Sequence, residues 1–501
     1  MAAANAVQPD TTRSREVAAR VADRPWAIRI GAEEIAGDPA GWATTNPSTG
    51  EHIATVPAAT PGDVDAAVRA GHAAFEEWRH VAPRERAARI RAWAELVRDH
   101  TEELAELDAL DAGLPLHAGR FDVGNAVEAM HLNADWAMEL KGTTIPSTSD
   151  HLHYTVREPF GVVARIIAYN HPLMFATRAA TPLVAGNAVI VKTPDQAPLS
   201  GLRLAELAAE VLPKGLLTVL AGSGPVVGDA LARHPGIRRL AFTGSVRTGL
   251  AIQGAAAASG VVKSISLELG GKNPLILYPD ADLEAAARGA LVGMNLTMTG
   301  GQSCGSTSRL LAHESVAEEV VDMVRAHFEG LTIGDALADG TQMGPMITEV
   351  HRDRVLAHVQ SARDSGATIA AGGEPPDGLD RGWFVAPTLI TGVEGDMPIA
   401  QNEVFGPVLS VITWRDEEDA VRIANGIEYG LTASIWTRDV ARAHRLARRI
   451  DAGFVWFNET SAHYHGVPFG GFKNSGVGRE EDLSEVLSFT QVKTVNVPLG
   501  S

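Results

Sequence analysis

The chain has one cysteine, Cys304, in 501 residues. No internal disulfide can form, which excludes a disulfide-stapled framework. Nor does any run approach the ~18 consecutive apolar residues that a membrane helix requires. The most apolar strand-like stretch, 161–168, is interrupted by Arg165, so no membrane association is expected. The net charge is −18 and no dense Lys/Arg block offsets it, so a nucleic acid would meet a repulsive field. The arginines along 84–98 and 442–449 recur at helical spacing and read as solvated helix faces. The N-terminus through about Pro25 lacks the apolar core of a secretory signal and carries Asp10, Glu16 and Asp23. A flexible extension on a cytoplasmic protein is expected.

What remains is ordinary for a soluble enzyme: 45% apolar and 21% charged residues. A chain this long should divide into two or three domains. After a hairpin near Asn46–Gly50, helices are predicted over 64–78, 83–97, 101–112 and 120–140. His151 to Arg157 alternates as a strand. His151 and His153 share a face there, but no third ligand stands at metal-site spacing. From Gly161 to 258 strands and helices alternate, which implies a parallel sheet with right-handed crossovers and a ligand at the carboxyl ends of its strands. The fold class is therefore α/β, with a Rossmann-like cofactor domain.

Two glycine-rich turns compete for a phosphate. Gly222-Ser223-Gly224-Pro225-Val226-Val227-Gly228 is close to a dinucleotide fingerprint but holds an extra residue and a proline. Phe242-Thr243-Gly244-Ser245 links strand to helix, where a hydroxyl and helical N–H groups suit a pyrophosphate. Lys192 and Asp195, just past a strand end, suit ribose hydroxyls. Glu268, between Leu267 and Leu269, is either a base in apolar surroundings or an edge-strand acid facing water. Cys304 lies among small residues, Gly300-Gly301-Gln302-Ser303 and Gly305-Ser306-Thr307. A core thiol, a modifiable thiol and a nucleophile all remain open for it.

The ordered series settles these alternatives. Tyr169-Asn170-His171-Pro172, Lys192 with Asp195, Phe242-Thr243-Gly244-Ser245, Glu268-Leu269-Gly270-Gly271-Lys272, Gly301-Gln302-Ser303-Cys304, Glu403-Val404-Phe405-Gly406-Pro407, Asn458 and Pro468-Phe469-Gly470-Gly471 resemble the aldehyde dehydrogenase superfamily over nearly the whole chain. The resemblance implies Cys304 as nucleophile, Asn170 as oxyanion donor and Glu268 as the base for thioester hydrolysis. Free cysteine has a pKa of about 8.5, so the thiol needs activation, to which a nearby base is expected to contribute. NAD would contact Tyr169, Lys192, Asp195, Gly224, Gly244, Ser245, Leu269, Glu403 and Phe405. Asp195 would repel a 2′-phosphate, favouring NAD, with NADP possible. Phe175, Ser303, His463 and Phe469 are expected to line the aldehyde site.

By the same resemblance, 1–140 and 160–268 form the dinucleotide-binding domain and 269–480 the catalytic domain. Segments 141–159 and 481–501 form a small β oligomerisation arm, implying a homodimer or homotetramer. The lysine that the family often carries after the asparagine is absent; Arg178 is the nearest basic residue, and no role is carried over to it. Three other readings compete: a CoA-acylating enzyme, against which Glu268 argues; a catalytically silent structural relative, against which Cys304, Glu268 and Asn170 argue; and a thioester or ester hydrolase, which NAD binding would exclude.

Overall fold

The computed structural model describes residues 5–6, 11–35 and 37–500. Its centre is two sheets. The first runs, in spatial order, Leu217–Leu220, Ala188–Lys192, Val162–Ile166, Ile237–Thr243, Ser264–Glu268 and Gly476–Val477. All neighbours are parallel except the last pair. Ala188–Lys192 is buried along its whole length, as expected of a parallel strand covered on both faces. The chain leaves Val162–Ile166 towards one side and returns at Ile237–Thr243 on the other, so a topological switch lies between these two strands.

The second sheet runs Thr368–Ala371, Thr388–Thr391, Val408–Trp414, Arg309–His313, Pro274–Leu277, Thr432–Trp436 and Phe454–Phe457. Only its first pair is antiparallel. Gly476–Val477 lies within the segment expected to be catalytic, yet it pairs with Glu268 and Leu267 of the first sheet. A third sheet pairs Thr490–Pro498 with His151–Pro159 and adds Thr144–Ile145. The stacked rings of His151 and His153 lie on it, 5.7 Å apart. Among the described residues no group of three or more His, Cys, Asp or Glu could hold a metal.

Helices cover the first sheet. Pro61–Trp78 starts at a capping box, in which Thr60 Oγ1 accepts the Asp63 N–H at 3.3 Å and Asp63 Oδ2 accepts the Thr60 N–H at 2.8 Å. It buries Val64, Ala67, Val68, Phe75 and Trp78. The Trp78 indole N–H donates to Leu183 O at 2.9 Å, and Trp78→Ala would cost about 3–5 kcal/mol.

Three sequence expectations need correction. Thr11–Ala22 is a helix, not part of a flexible extension: Val17 and Val21 are buried and Ser14 bonds the Asp335 carboxylate. Residues 1–4 and 7–10 of that extension lie outside the described residues. The helix predicted over 120–140 starts earlier, at Leu116, and gives way after Asp135 to a 3-10 turn, Trp136–Glu139. Within the alternating stretch, the single helix expected from about residue 172 breaks into Pro172–Thr177 and Ala180–Val184. No described helix is long and apolar enough to cross a membrane.

Candidate active site

Strand register collects the polar residues. In the first sheet Ile166 stands opposite Lys192 and Phe242, and Thr243 opposite Glu268. Asn170, Lys192, Ser245 and Glu268 therefore emerge at one edge, where the strands end. In the second sheet Arg309 stands opposite Pro274 and Ser410. The loops at 269–273, 301–308 and 403–407 consequently sit where its strands begin. The five-residue link 269–273 joins one edge to the other and brings them face to face.

The cysteine loop is pinned from below. Asn273 Nδ2 donates to Cys304 O at 2.8 Å and to Ser306 O at 2.9 Å. Gln302 donates to Thr299 O at 2.9 Å and accepts the Ile347 N–H at 3.0 Å. Cys304 is half-buried and packs against Leu431, Phe454, Trp456 and Phe469; Ser303 beside it is also half-buried. Burial, followed by the negative charges of Glu403 and Glu268, pushes the thiol up to about 12, while Arg178 and the Gly305 N–H oppose the shift. The expected help from a neighbouring base is thus reversed at rest, because carboxylates stabilise the proton on sulfur.

Glu268 is 4% exposed, and neither carboxyl oxygen has a hydrogen-bond partner among the described residues. Burial and the charge of Glu480 raise it well above the usual carboxyl range. This is the apolar acid of the two sequence readings, since its strand is flanked on both sides. A Cβ at Gly470 would lie 2.8 Å from Glu268 Oε1, so glycine there admits the carboxyl. Asn170 is 4% exposed, just ahead of Pro172–Thr177.

A second group lines the edge from the switch point outwards. Lys192 is buried and pairs with the half-buried Asp195. Asp195 Oδ2 accepts the Gly224 N–H at 2.9 Å. Gly244 precedes Ser245, whose hydroxyl caps Val246–Ala257 by accepting the Thr248 N–H at 3.3 Å. Leu269 packs under this helix, where a Cβ on Gly249 would meet it at 2.8 Å. Across the gap Glu403 Oε1 accepts the Gly271 N–H at 3.0 Å. A Cβ at Gly270 would stand 2.1 Å from Glu403 Oε2, so this close approach requires glycine. Burial raises Glu403 to about 7, against the pull of the Gly271 N–H, Lys272 and Arg354. Tyr169 meets the Phe405 ring edge-on at 5.8 Å.

The aromatic wall holds the remaining expected residues. Phe469 lies 4.6 Å from the His463 ring, and Phe175 carries the Arg178 guanidinium at 5.3 Å. His463 Nδ1 bonds Glu481 Oε2 at 2.9 Å, and both, with Arg178, line one cavity. Arg178 pairs with Glu480 and, at 2.7 Å, with Glu481. Arg165 joins Glu480 at 2.7 Å and Glu485 at 2.8 Å. Burial would raise Glu481, but His463 and Arg178 outweigh it and hold the carboxyl at about 2.

With this geometry in place, comparison with known proteins decides the family. The aldehyde dehydrogenase family model matches residues 36–495. The chain belongs to the aldehyde dehydrogenase family. It is similar to aldehyde dehydrogenase tropH of Talaromyces stipitatus, 45% identical over 470 residues, covering 91% of this chain and 90% of the relative. Among solved structures it is similar to the NAD+ complex of a Bacillus cereus aldehyde dehydrogenase, with 36% identity, a TM-score of 0.93 and coverage of 99% and 100%. It is also similar to Staphylococcus aureus betaine aldehyde dehydrogenase with NAD+, with 32% identity, a TM-score of 0.94 and 98% of each chain covered.

Sequence reading did not single out the ion network. Glu480 and Arg165 stand 315 positions apart, and no local pattern links them. It also gave no role to Lys272, which is fully buried with its amine unpartnered among the described residues. Burial and Arg309 lower this amine to about 7, against the pull of Glu403. Such burial cannot be read from one lysine between glycine and asparagine.

Proposed function

We propose that the protein oxidises an aldehyde to the carboxylic acid with NAD, using Cys304 as nucleophile and Glu268 as base. The observation carrying this reading is a half-buried thiol and a buried carboxyl with no partner among the described residues, on facing sheet edges, the carboxylate raising the thiol's proton affinity. The residues fit the dinucleotide. Lys192, Asp195 and the Gly224 amide cluster beyond adjacent strand ends. Ser245 stands at a helix N-terminus, and Gly270 lets the Glu403 carboxylate lie close against the 269–273 link. NAD, when bound, supplies the hydride acceptor.

Cys304 rests as the thiol, because burial and the facing carboxylates push it up to about 12, so its proton must first pass to a base, water or the ionised Glu268 carboxylate. Attack on the aldehyde carbon then forms a C–S bond, and the Asn170 amide and the Cys304 N–H donate to the oxyanion. Loss of hydride leaves a thioester on Cys304. Glu268, once ionised, takes a proton from water, which attacks the thioester and expels the thiol. Burial of Glu268 raises its basicity and keeps it from being held by a fixed donor. Asp195 supports NAD over NADP, because its carboxylate would face a 2′-phosphate. Phe175, Ser303, His463 and Phe469 form the aldehyde wall in this reading, which leaves the identity of the aldehyde open. Exposed Leu152, Val492 and Val497 on the third sheet support assembly through that sheet as a homodimer or homotetramer. The test is NADH formation from an aldehyde panel: turnover that needs NAD supports oxidation, whereas ester or thioester cleavage alone would favour a hydrolase.

A further inference from the structure

Phe405 has a left-handed backbone, φ +56°, which is costly for a bulky side chain and persists only where surrounding structure enforces it. Its carbonyl accepts a 2.6 Å hydrogen bond from His351 Nε2. The proton assignment follows from the partners. A carbonyl only accepts, so the proton must lie on Nε2. His351 Nδ1 is then a bare acceptor, and Arg354 Nη2 donates to it at 2.8 Å. Both ring nitrogens are used, and only the neutral imidazole can use them this way. Burial, then Arg354, pushes His351 down to about 4, which keeps it neutral. The histidine is itself fixed at the start of Glu349–Asp364, where its N–H donates to the Thr348 hydroxyl at 3.1 Å. The Tyr169 ring closes the cluster, 6.4 Å from His351 and 5.8 Å from Phe405.

We propose that His351 is the positioning residue that holds Phe405 in its left-handed conformation and thereby aims Glu403 and the Phe405 ring at the nicotinamide end of NAD. It rests on the reading that this edge receives NAD. Only Val404 separates Glu403 from Phe405, and Glu403 must reach across to the Gly271 N–H. Relaxation of Phe405 towards an ordinary φ would rotate that short segment and withdraw both groups together. His351 acts through the backbone of Phe405 and is not a catalytic residue.

The test compares His351→Leu, which fills the space but cannot donate, with His351→Gln, whose amide N–H can reach the same carbonyl. NAD affinity of the full chain is measured directly by protein-fluorescence quenching. His351→Leu should weaken NAD by about tenfold or more, as expected for a lost buried hydrogen bond to a constrained carbonyl. kcat at saturating NAD should change by less than about threefold. His351→Gln should recover most of the affinity. Wild-type affinity in His351→Leu, or equal loss in a folded His351→Gln, would overturn the proposal. If His351→Leu does not fold, 15N NMR of the wild-type imidazole decides: the neutral Nε2–H tautomer supports the proposal, and a charged ring or the Nδ1–H tautomer overturns it. Wild-type protein that does not bind NAD would instead sink the underlying reading. NAD binding that Glu403→Gln weakens and His351→Leu does not would sink only the role of His351.

Discussion

The two large sheets use opposite ends of their strands. The first places Asn170, Lys192, Ser245 and Glu268 beyond or at strand C-termini, at the switch point where α/β sheets collect ligands. The second places the loops of Cys304 and Glu403 ahead of strand N-termini, where no general rule predicts a site. The difference is one of support. First-sheet groups ride on strand ends and helix caps, as in the Ser245 cap. Second-sheet groups sit on loops and need dedicated holders: Asn273 under Cys304, Gly271 against Glu403. The proposed active site is the seam between a ready-made edge and a built one.

The largest effect should break the built edge alone. Cys304→Ala should lower NADH formation by on the order of 10⁴-fold or more while NAD affinity measured by fluorescence stays unchanged. Residual turnover near wild type would remove the nucleophile from the second sheet. On the facing edge, Glu268→Gln should cut steady-state turnover by about 10²–10⁴-fold and leave a single-turnover burst of NADH in stopped flow. Loss of the burst as well would give Glu268 a role before the thioester. In the wild type the base must ionise, so turnover limited by hydrolysis should rise with pH through a midpoint above the ordinary glutamate range. A fall over that range would contradict the assignment.

A smaller effect is expected from the first sheet's outer end. Asp195→Ser should raise the NADP/NAD ratio of kcat/KM by about tenfold through loss of like-charge repulsion. An unchanged ratio would separate Asp195 from cofactor choice. Smallest is the effect on the resting thiol. Iodoacetamide alkylation of Cys304 should keep rising with pH without a plateau below about 10, as follows from a thiol near 12. Glu403→Gln should move that profile to lower pH, because a negative charge across the gap is removed. A plateau near neutral pH in the wild type would show a thiolate at rest.

The same contrast explains what the sequence could reveal. Lys192 with Asp195 and the Thr243-Gly244-Ser245 turn are legible because their partners are local: a strand end, three residues, a helix cap. Parallel strands such as Ala188–Lys192 announce themselves by continuous apolar character. The contacts that hold the built edge, and the ion network of the first sheet, are illegible for the opposite reason. His351 meets the Phe405 carbonyl across 54 positions and Arg165 meets Glu480 across 315. A positive φ at phenylalanine leaves no compositional trace. Thr11–Ala22 misleads for a related reason: its helix is polar, and burial of Val17 and Val21 depends on contacts that only the folded chain supplies. The ordered motifs carried the family without any of these contacts, which is why membership was readable where the holding geometry was not.

The convergence of the two edges is tested most directly by trapping their shared intermediate. Glu268→Gln, mixed with a reactive aldehyde and NAD and quenched in acid, should yield a peptide containing Cys304 whose mass is increased by that of the aldehyde less two hydrogens, the signature of a thioester. An unmodified Cys304 in protein that has released its burst of NADH would contradict the account, because oxidation would then have occurred without a covalent bond to the second sheet's thiol.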